Sequence, residues 1–156
     1  MCRPNASKWI LNYKDMRPRG LRNNNPGNIR KNNIVYQGEI VPSKDESFKQ
    51  FSSMAYGYRA MFVVLHTYQR KYGINTIADM IIRYAPAIEN HTTEYIRAVA
   101  EDSGVPSTSH ITTTNADVMI PIVAAMSKVE NGVPAEYREV EQGWKLFIED
   151  YRNHKI

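Results

Sequence analysis

From Ser53 onward, apolar residues recur at helical spacing, and this periodicity commits most of the chain to α-helix. Met61, Val64, Leu65 and Tyr68 fall at i, i+3, i+4 and i+7, which marks one buried helix face. Ser53 is placed to cap that helix and Gly73 to stop it. Thr76, with Asp79 three residues on, opens a second helix that runs to about Tyr84 before Pro86. Thr92 is placed to cap a third, with Tyr95, Ile96 and Val99 facing inward and Gly104 ending it. Residues 106–114 are rich in Ser and Thr and read as a loop. Asn115 or Thr114 starts a fourth, strongly apolar helix over 118–129, with Pro121 in its first turns and Asn131-Gly132 at its end. A last helix runs from about Glu136 to Arg152 and presents Val140, Trp144, Phe147 and Ile148 as its apolar stripe.

The region before Ser53 has a different grammar. Six of the eleven residues from Asn23 to Asn33 are asparagine. A core segment does not carry so many amides, because each buried amide needs partners. Pro26-Gly27 marks a turn. Candidate strands follow near 28–30, 35–40 and 47–51, so a rigid amide-rich turn opens into a small β-ribbon. Two readings of the amides stand side by side: a loop bonded to itself through Asx turns, or a wall that holds neutral, hydroxyl-rich and acetamido-rich ligands. Phe48 and Phe51 read as core anchors. The fold class is therefore α+β, mostly helical, with a small β-hairpin lobe. Residues 1–18 form a basic arm, with a short helix around 6–14, and residues 19–156 form one domain.

Charge is unevenly spread. Residues 1–31 hold eight Lys or Arg against the single acid Asp15, although the whole chain is only +4. Such an arm suits an anionic wall, membrane or nucleic acid, or is a solvated tail. Trp9 and Tyr13 are too few to stack a series of bases, so nucleic acid is the less favoured partner. No stretch has the length and apolarity of a membrane span, and no classical signal peptide is visible. The lone Cys2 cannot form an internal disulfide; it is a free thiol or, on a remoter reading, a lipidated first residue.

No metal or organic cofactor is implied. His66, His91, His110 and His154 are scattered, and there is no HExxH, CxxC, GxSxG or Walker loop. Carboxylates carry what chemistry there is. Glu130 ends an apolar helix, where desolvation and the negative helix pole both favour its protonated form. That is a property of a general acid for glycosidic cleavage. The plainer reading is an exposed helix-end glutamate. Glu89-Asn90 lies just before a helix start, where a carboxylate either bonds free N–H groups or lines a cleft beside Tyr84. Asp45, Glu46 and Glu39 sit on the β element, and any of them is a candidate second carboxylate.

The chain resembles a family of phage and prophage-encoded structural, or virion, proteins related to lysozyme-like peptidoglycan-degrading domains. The resemblance spans roughly residues 19–145. It is carried by the run from Arg19-Gly20-Leu21-Arg22 through Asn23-Asn24-Asn25-Pro26-Gly27-Asn28-Ile29-Arg30, then Tyr36-Gln37-Gly38, Gly57-Tyr58-Arg59-Ala60-Met61, Arg83-Tyr84-Ala85-Pro86 and Glu130-Asn131-Gly132. Tyr36 stands where the family commonly has tryptophan, and keeps an aromatic platform for a sugar ring. A looser likeness links the Asn25–Arg30 turn, Tyr36-Gln37-Gly38 and Phe48–Phe51 to bacterial glucosaminidases, in which a glutamate-bearing helix precedes the turn. Residues 1–18 contain no glutamate. The likeness thus implies a circularly permuted lysozyme-like domain in which Glu130 fills the general-acid position, an arrangement that adjacent termini permit.

On this resemblance the expected function is cleavage of peptidoglycan glycan strands, as a muramidase, glucosaminidase or lytic transglycosylase. Glu130 protonates the leaving oxygen, and Asp45 or Glu89 aids water or stabilises the transition state. Arg22, Asn25, Asn28, Tyr36, Tyr84 and Asn90 hold the sugar. The partner is peptidoglycan or another acetamido-sugar polymer, met from a phage virion or from the bacterial cytoplasm before release toward the periplasm and cell wall. The alternative is a non-catalytic virion structural or glycan-binding module that kept the cleft and lost turnover.

Overall fold

The structure, a computed structural model, describes residues 16–85 and 89–156. The helix expected around 6–14, Cys2, Trp9, Tyr13 and most of the basic arm lie outside the described residues, as does Pro86. In chain order the elements are α1 (Arg19–Arg22), β1 (Glu39–Ile40), β2 (Gln50–Phe51), α2 (Met54–Tyr72), α3 (Ile77–Tyr84), α4 (Glu89–Ser103), α5 (Ala116–Asn131) and α6 (Tyr137–Arg152). The described part is mostly helical with one small antiparallel sheet, an α+β arrangement.

The caps explain most helix limits. The Ser53 side chain accepts from Tyr56 N at the start of α2, and Gly73 closes it in the left-handed region, φ 67°. Thr76 accepts from Asp79 N to open α3. Asn115 accepts from Asp117 N to open α5, which ends on Gly132, φ 73°. Two expectations change. Helix α4 begins at Glu89, so Thr92 lies in its first turn and does not cap it. Helix α5 continues to Asn131, so Glu130 sits within the last turn instead of just past the end.

The β element is smaller than the sequence suggests. β1 and β2 pair with Glu39 opposite Phe51 and Ile40 opposite Gln50, and Arg30 makes one isolated bridge to Phe48. No strand forms over 35–38; residues 37–38 are a turn, with Gly38 at φ 79° and a bond from Glu39 N to Tyr36 O. Lys49 is the physical reason for this departure. Its side chain is 0% exposed, and its ammonium donates to Ile34 O at 2.7 Å and to both Glu39 oxygens at 3.1 Å. The preceding loop is drawn over the charge, and no straight strand forms there. Phe51 is fully buried, but Phe48 is only half-buried, with the Arg19 and Arg30 guanidiniums 4.7 and 4.9 Å from its ring centroid. Phe48 is therefore a platform for two cations and not a core anchor.

The core lies between α2, α5 and α6. Met61, Phe62, Leu65, Met126, Val140 and Phe147 are almost wholly removed from water. Each such side chain contributes about 1.5–3 kcal/mol by burial. Phe62 meets Trp144 edge-on at 5.0 Å and stacks on Phe147 at 5.9 Å. Arg59, 5% exposed, is held by Asp150 at 2.8 Å, which ties α2 to α6. His66 bonds Thr113 and packs edge-on to Phe147 and Tyr151, as a structural histidine does.

Gly57 sets how closely α2 approaches the asparagine turn. A Cβ there would collide with the Asn24 carbonyl oxygen and stand 2.6 Å from Pro26 Cδ. Backbone and a ring are the obstacles, so neither yields easily. Gly57→Ala is expected to lower stability by about 1–3 kcal/mol, as overpacking does. Thermal unfolding followed by circular dichroism measures this, and an unchanged midpoint would show that turn and helix are not in rigid contact.

Candidate functional site

The two segments that the sequence singles out, 102 residues apart, meet. Asn28 occupies the left-handed region, φ 48°, which asparagine tolerates better than most side chains. From there its amide donates to Glu130 Oε1 at 3.0 Å. Asn131 completes the junction: its amide donates to Pro26 O at 2.8 Å and to Ser127 O at 2.9 Å. The end of α5 is thereby clamped onto the turn. Gly20 makes room for this, since a Cβ there would stand 2.7 Å from Asn25 O and against Asn131 Oδ1.

Glu130 is gripped from the other side by Tyr95, whose hydroxyl donates to Oε2 at 3.0 Å. Each carboxylate oxygen therefore accepts one side-chain donor. Burial pushes the Glu130 carboxyl up from its ordinary value, while the Asn28 and Tyr95 bonds oppose that rise. Burial and, after it, the Glu130 charge push the Tyr84 and Tyr95 hydroxyls well up. The Tyr84 hydroxyl donates to Gly27 O at 2.7 Å and so fixes the end of α3 against the turn. A cavity of about 510 Å³ opens here, lined by Ala85, His91, Thr92, Glu94, Tyr95, Val129 and Glu130. His91 and Glu94 face each other at 3.7 Å on its exposed rim.

Other expected site residues are placed differently. Asn25 is 0% exposed: its amide donates to Ile29 O and Lys49 O, and its oxygen accepts from Ile29 N. It is a turn anchor with no surface left for a ligand, so the self-bonded reading is the right one for this asparagine. Asn23 and Asn24 are likewise spent on Asp45 and on Phe51 O. Asp45 accepts a two-pronged bond from Arg19 at 2.6 and 2.7 Å, one from Asn23, and the Ser47 and Phe48 N–H groups. These donors, Arg19 first, hold its carboxyl far below the ordinary range. Such a carboxylate anchors a loop, and no contact joins it to Glu130. Tyr36 is half-buried over Lys49 Nζ, 5.4 Å from the ring centroid. Arg22 is exposed at the end of α1, with no contact to the Glu130 cavity. The side chains of Glu89 and Asn90 lie outside the described residues.

Sequence reasoning missed Tyr95 as a partner of Glu130. Its helical phase marks it as core, and its ring is indeed 7% exposed. The available signal was chemical, because a buried tyrosine hydroxyl needs an acceptor. Among the described residues no group of three or more His, Cys, Asp or Glu is placed to hold a metal ion. No described helix is long and apolar enough to cross a membrane.

No family model matches the chain. Over 131 residues it is 37% identical to Protein P5 of Pseudoalteromonas phage PM2, an alignment that covers 81% of this chain and 80% of the relative. The chain belongs to the family of this phage protein. The phage kinship expected from the sequence holds, while the lysozyme-like relation forms no part of the match. The expectation of a peptidoglycan-cleaving enzyme is corrected by this finding, which favours the virion structural side of its alternative. In this chain the asparagine turn, α3, α4 and α5 converge at the Glu130 junction.

Proposed function

We propose that the chain is a non-catalytic virion component that holds an acetamido-sugar polymer such as peptidoglycan in the cavity beside Glu130. The observation that carries this reading is the Glu130 carboxylate, fixed by Asn28 and Tyr95 beside a cavity of about 510 Å³. Sugars present an apolar face and a hydroxyl edge. Ala85 and Val129 match the first, and the carboxylates of Glu130 and Glu94 accept from the second. An acidic cavity suits hydroxyl and amide donors better than an anion. Asp45 is taken up by Arg19 and is no partner to Glu130, whose proposed role is acceptance of a ligand hydrogen bond. The lysozyme-like, permuted architecture is part of the same proposal, supported by the Asn28–Glu130 contact. It describes a cleft retained without turnover, carried in the phage particle toward the periplasm and wall.

Purified protein incubated with cell-wall sacculi tests this. Retention on the sacculi with no release of soluble fragments is expected. Release of fragments would refute the non-catalytic part, and absence of retention would refute the glycan part and leave a purely structural place in the particle.

A further inference from the structure

A row of tyrosines leads away from Glu130. Tyr84 bonds Gly27 O, next to the Glu130 partner Asn28, and directly follows Arg83, whose guanidinium lies on Tyr72 and near Tyr68; Tyr36 precedes β1 of the ribbon. Tyr36, Tyr68 and Tyr84 are half-buried residues, and Tyr72 is 54% exposed. Tyr68 and Tyr72 sit one turn apart on α2 and share a face. Across that face lies Arg83, from the last turn of α3. Its guanidinium stands 3.7 Å from the Tyr72 ring centroid and 5.4 Å from that of Tyr68.

The guanidinium has no carboxylate partner among the described residues. Asp79, one turn back on the same helix, is suitably spaced and yet makes no ion pair with it. The two rings hold the planar cation in place, and among the described residues its N–H groups meet no protein acceptor. A guanidinium pre-oriented in this way suits a multi-oxygen anion, which it meets with two parallel bonds. Arg70 and Lys71, in the last turn of α2, add positive charge at the same end.

We infer that Arg83, Tyr68 and Tyr72 form a second subsite that takes a carboxylate or phosphate group carried by the same glycan. The inference rests on the glycan-binding reading above. It assigns the two ends of the row different chemistry. The Glu130 end accepts neutral hydroxyl and amide groups, and the Arg83 end takes anionic substituents. The ligand is therefore a polymer of several units with acidic groups along it.

Isothermal titration with neutral, carboxymethylated and phosphorylated N-acetylglucosamine oligomers of equal length tests the subsite and separates the two anion sources. At low salt, at least one anionic oligomer is expected to bind about tenfold more tightly than the neutral one, the effect of one charge-assisted contact. The gain shrinks as salt rises. Arg83→Gln is expected to bring the anionic oligomer to the neutral oligomer's affinity, and Arg83→Lys, which keeps charge but not the planar fork, to recover only part of it. Equal binding of all three oligomers to the wild type would overturn the subsite and leave the Glu130 reading standing. Binding of none would overturn both.

Discussion

Glu39→Ala is expected to destabilise the protein by about 3–5 kcal/mol, the usual consequence of leaving one member of a buried ion pair alone. The partner left behind is Lys49, whose ammonium has no exposed surface and whose bonds go to Ile34 O and the Glu39 carboxylate. Glu39 Oε1 also accepts from Tyr36 N, so the substitution frees the loop that carries Tyr36 as well. Urea unfolding of wild type and variant measures the loss. A second comparison separates the charge from the loop. With Glu39→Met and Lys49→Met combined, no charge is stranded, and much of the stability should return, although Ile34 O and Tyr36 N lose their partners. A loss below about 1 kcal/mol for Glu39→Ala would mean that water reaches the ammonium and that the pair behaves as a surface one.

That pair also marks the limit of what the sequence could reveal. The helices were legible because their signals are local. Ser53, Thr76 and Asn115 cap where a short polar side chain precedes an apolar period, and Gly73 and Gly132 stop helices in the one conformation that favours glycine. The ribbon was less legible because its shape is set by a long-range charge. Nothing in residues 35–40 says that Lys49 will be buried beneath them. The asparagine cluster was half legible. Amide density predicts hydrogen bonding, but not whether an amide turns inward, as Asn25 does, or toward a distant helix, as Asn28 does. The apolar run of α5 drew attention to Glu130 and Asn131, which meet the turn. Tyr95 was hidden by its own periodicity, since the ring that fills the core is the same group that carries the hydroxyl to Glu130. The function was misread at the step from site to activity. A partly buried glutamate beside a cavity is shared by proteins that cleave a sugar and proteins that hold one, and kinship with the phage protein favours a structural role over cleavage.

Glu130→Gln should separate the binding role of this side chain from its effect on the fold. Burial raises the carboxyl above its ordinary value in the folded protein. The folded state therefore holds its proton more firmly than the unfolded chain, and Glu130 favours folding most below the unfolded value of about 4.3. That contribution is lost as pH rises through the folded value. The amide of glutamine does not titrate, so the variant should lack this part of the decline and gain on the wild type between acid and neutral pH. Chemical denaturation at a series of pH values measures the difference, and parallel wild-type and variant curves would show that Glu130 is solvated in the folded protein. Binding should move the other way. Glutamine keeps one acceptor oxygen near Asn28 or Tyr95 but replaces the other with a donor. It must then either turn N–H toward a donor or surrender a bond to the ligand. Affinity for an N-acetylglucosamine oligomer is expected to fall about tenfold or more, the value of one hydrogen bond to a charged group. A variant that is better folded at neutral pH and yet binds sugar worse would mean that the junction of turn and helix keeps a desolvated carboxylate, at the expense of stability, to hold its ligand.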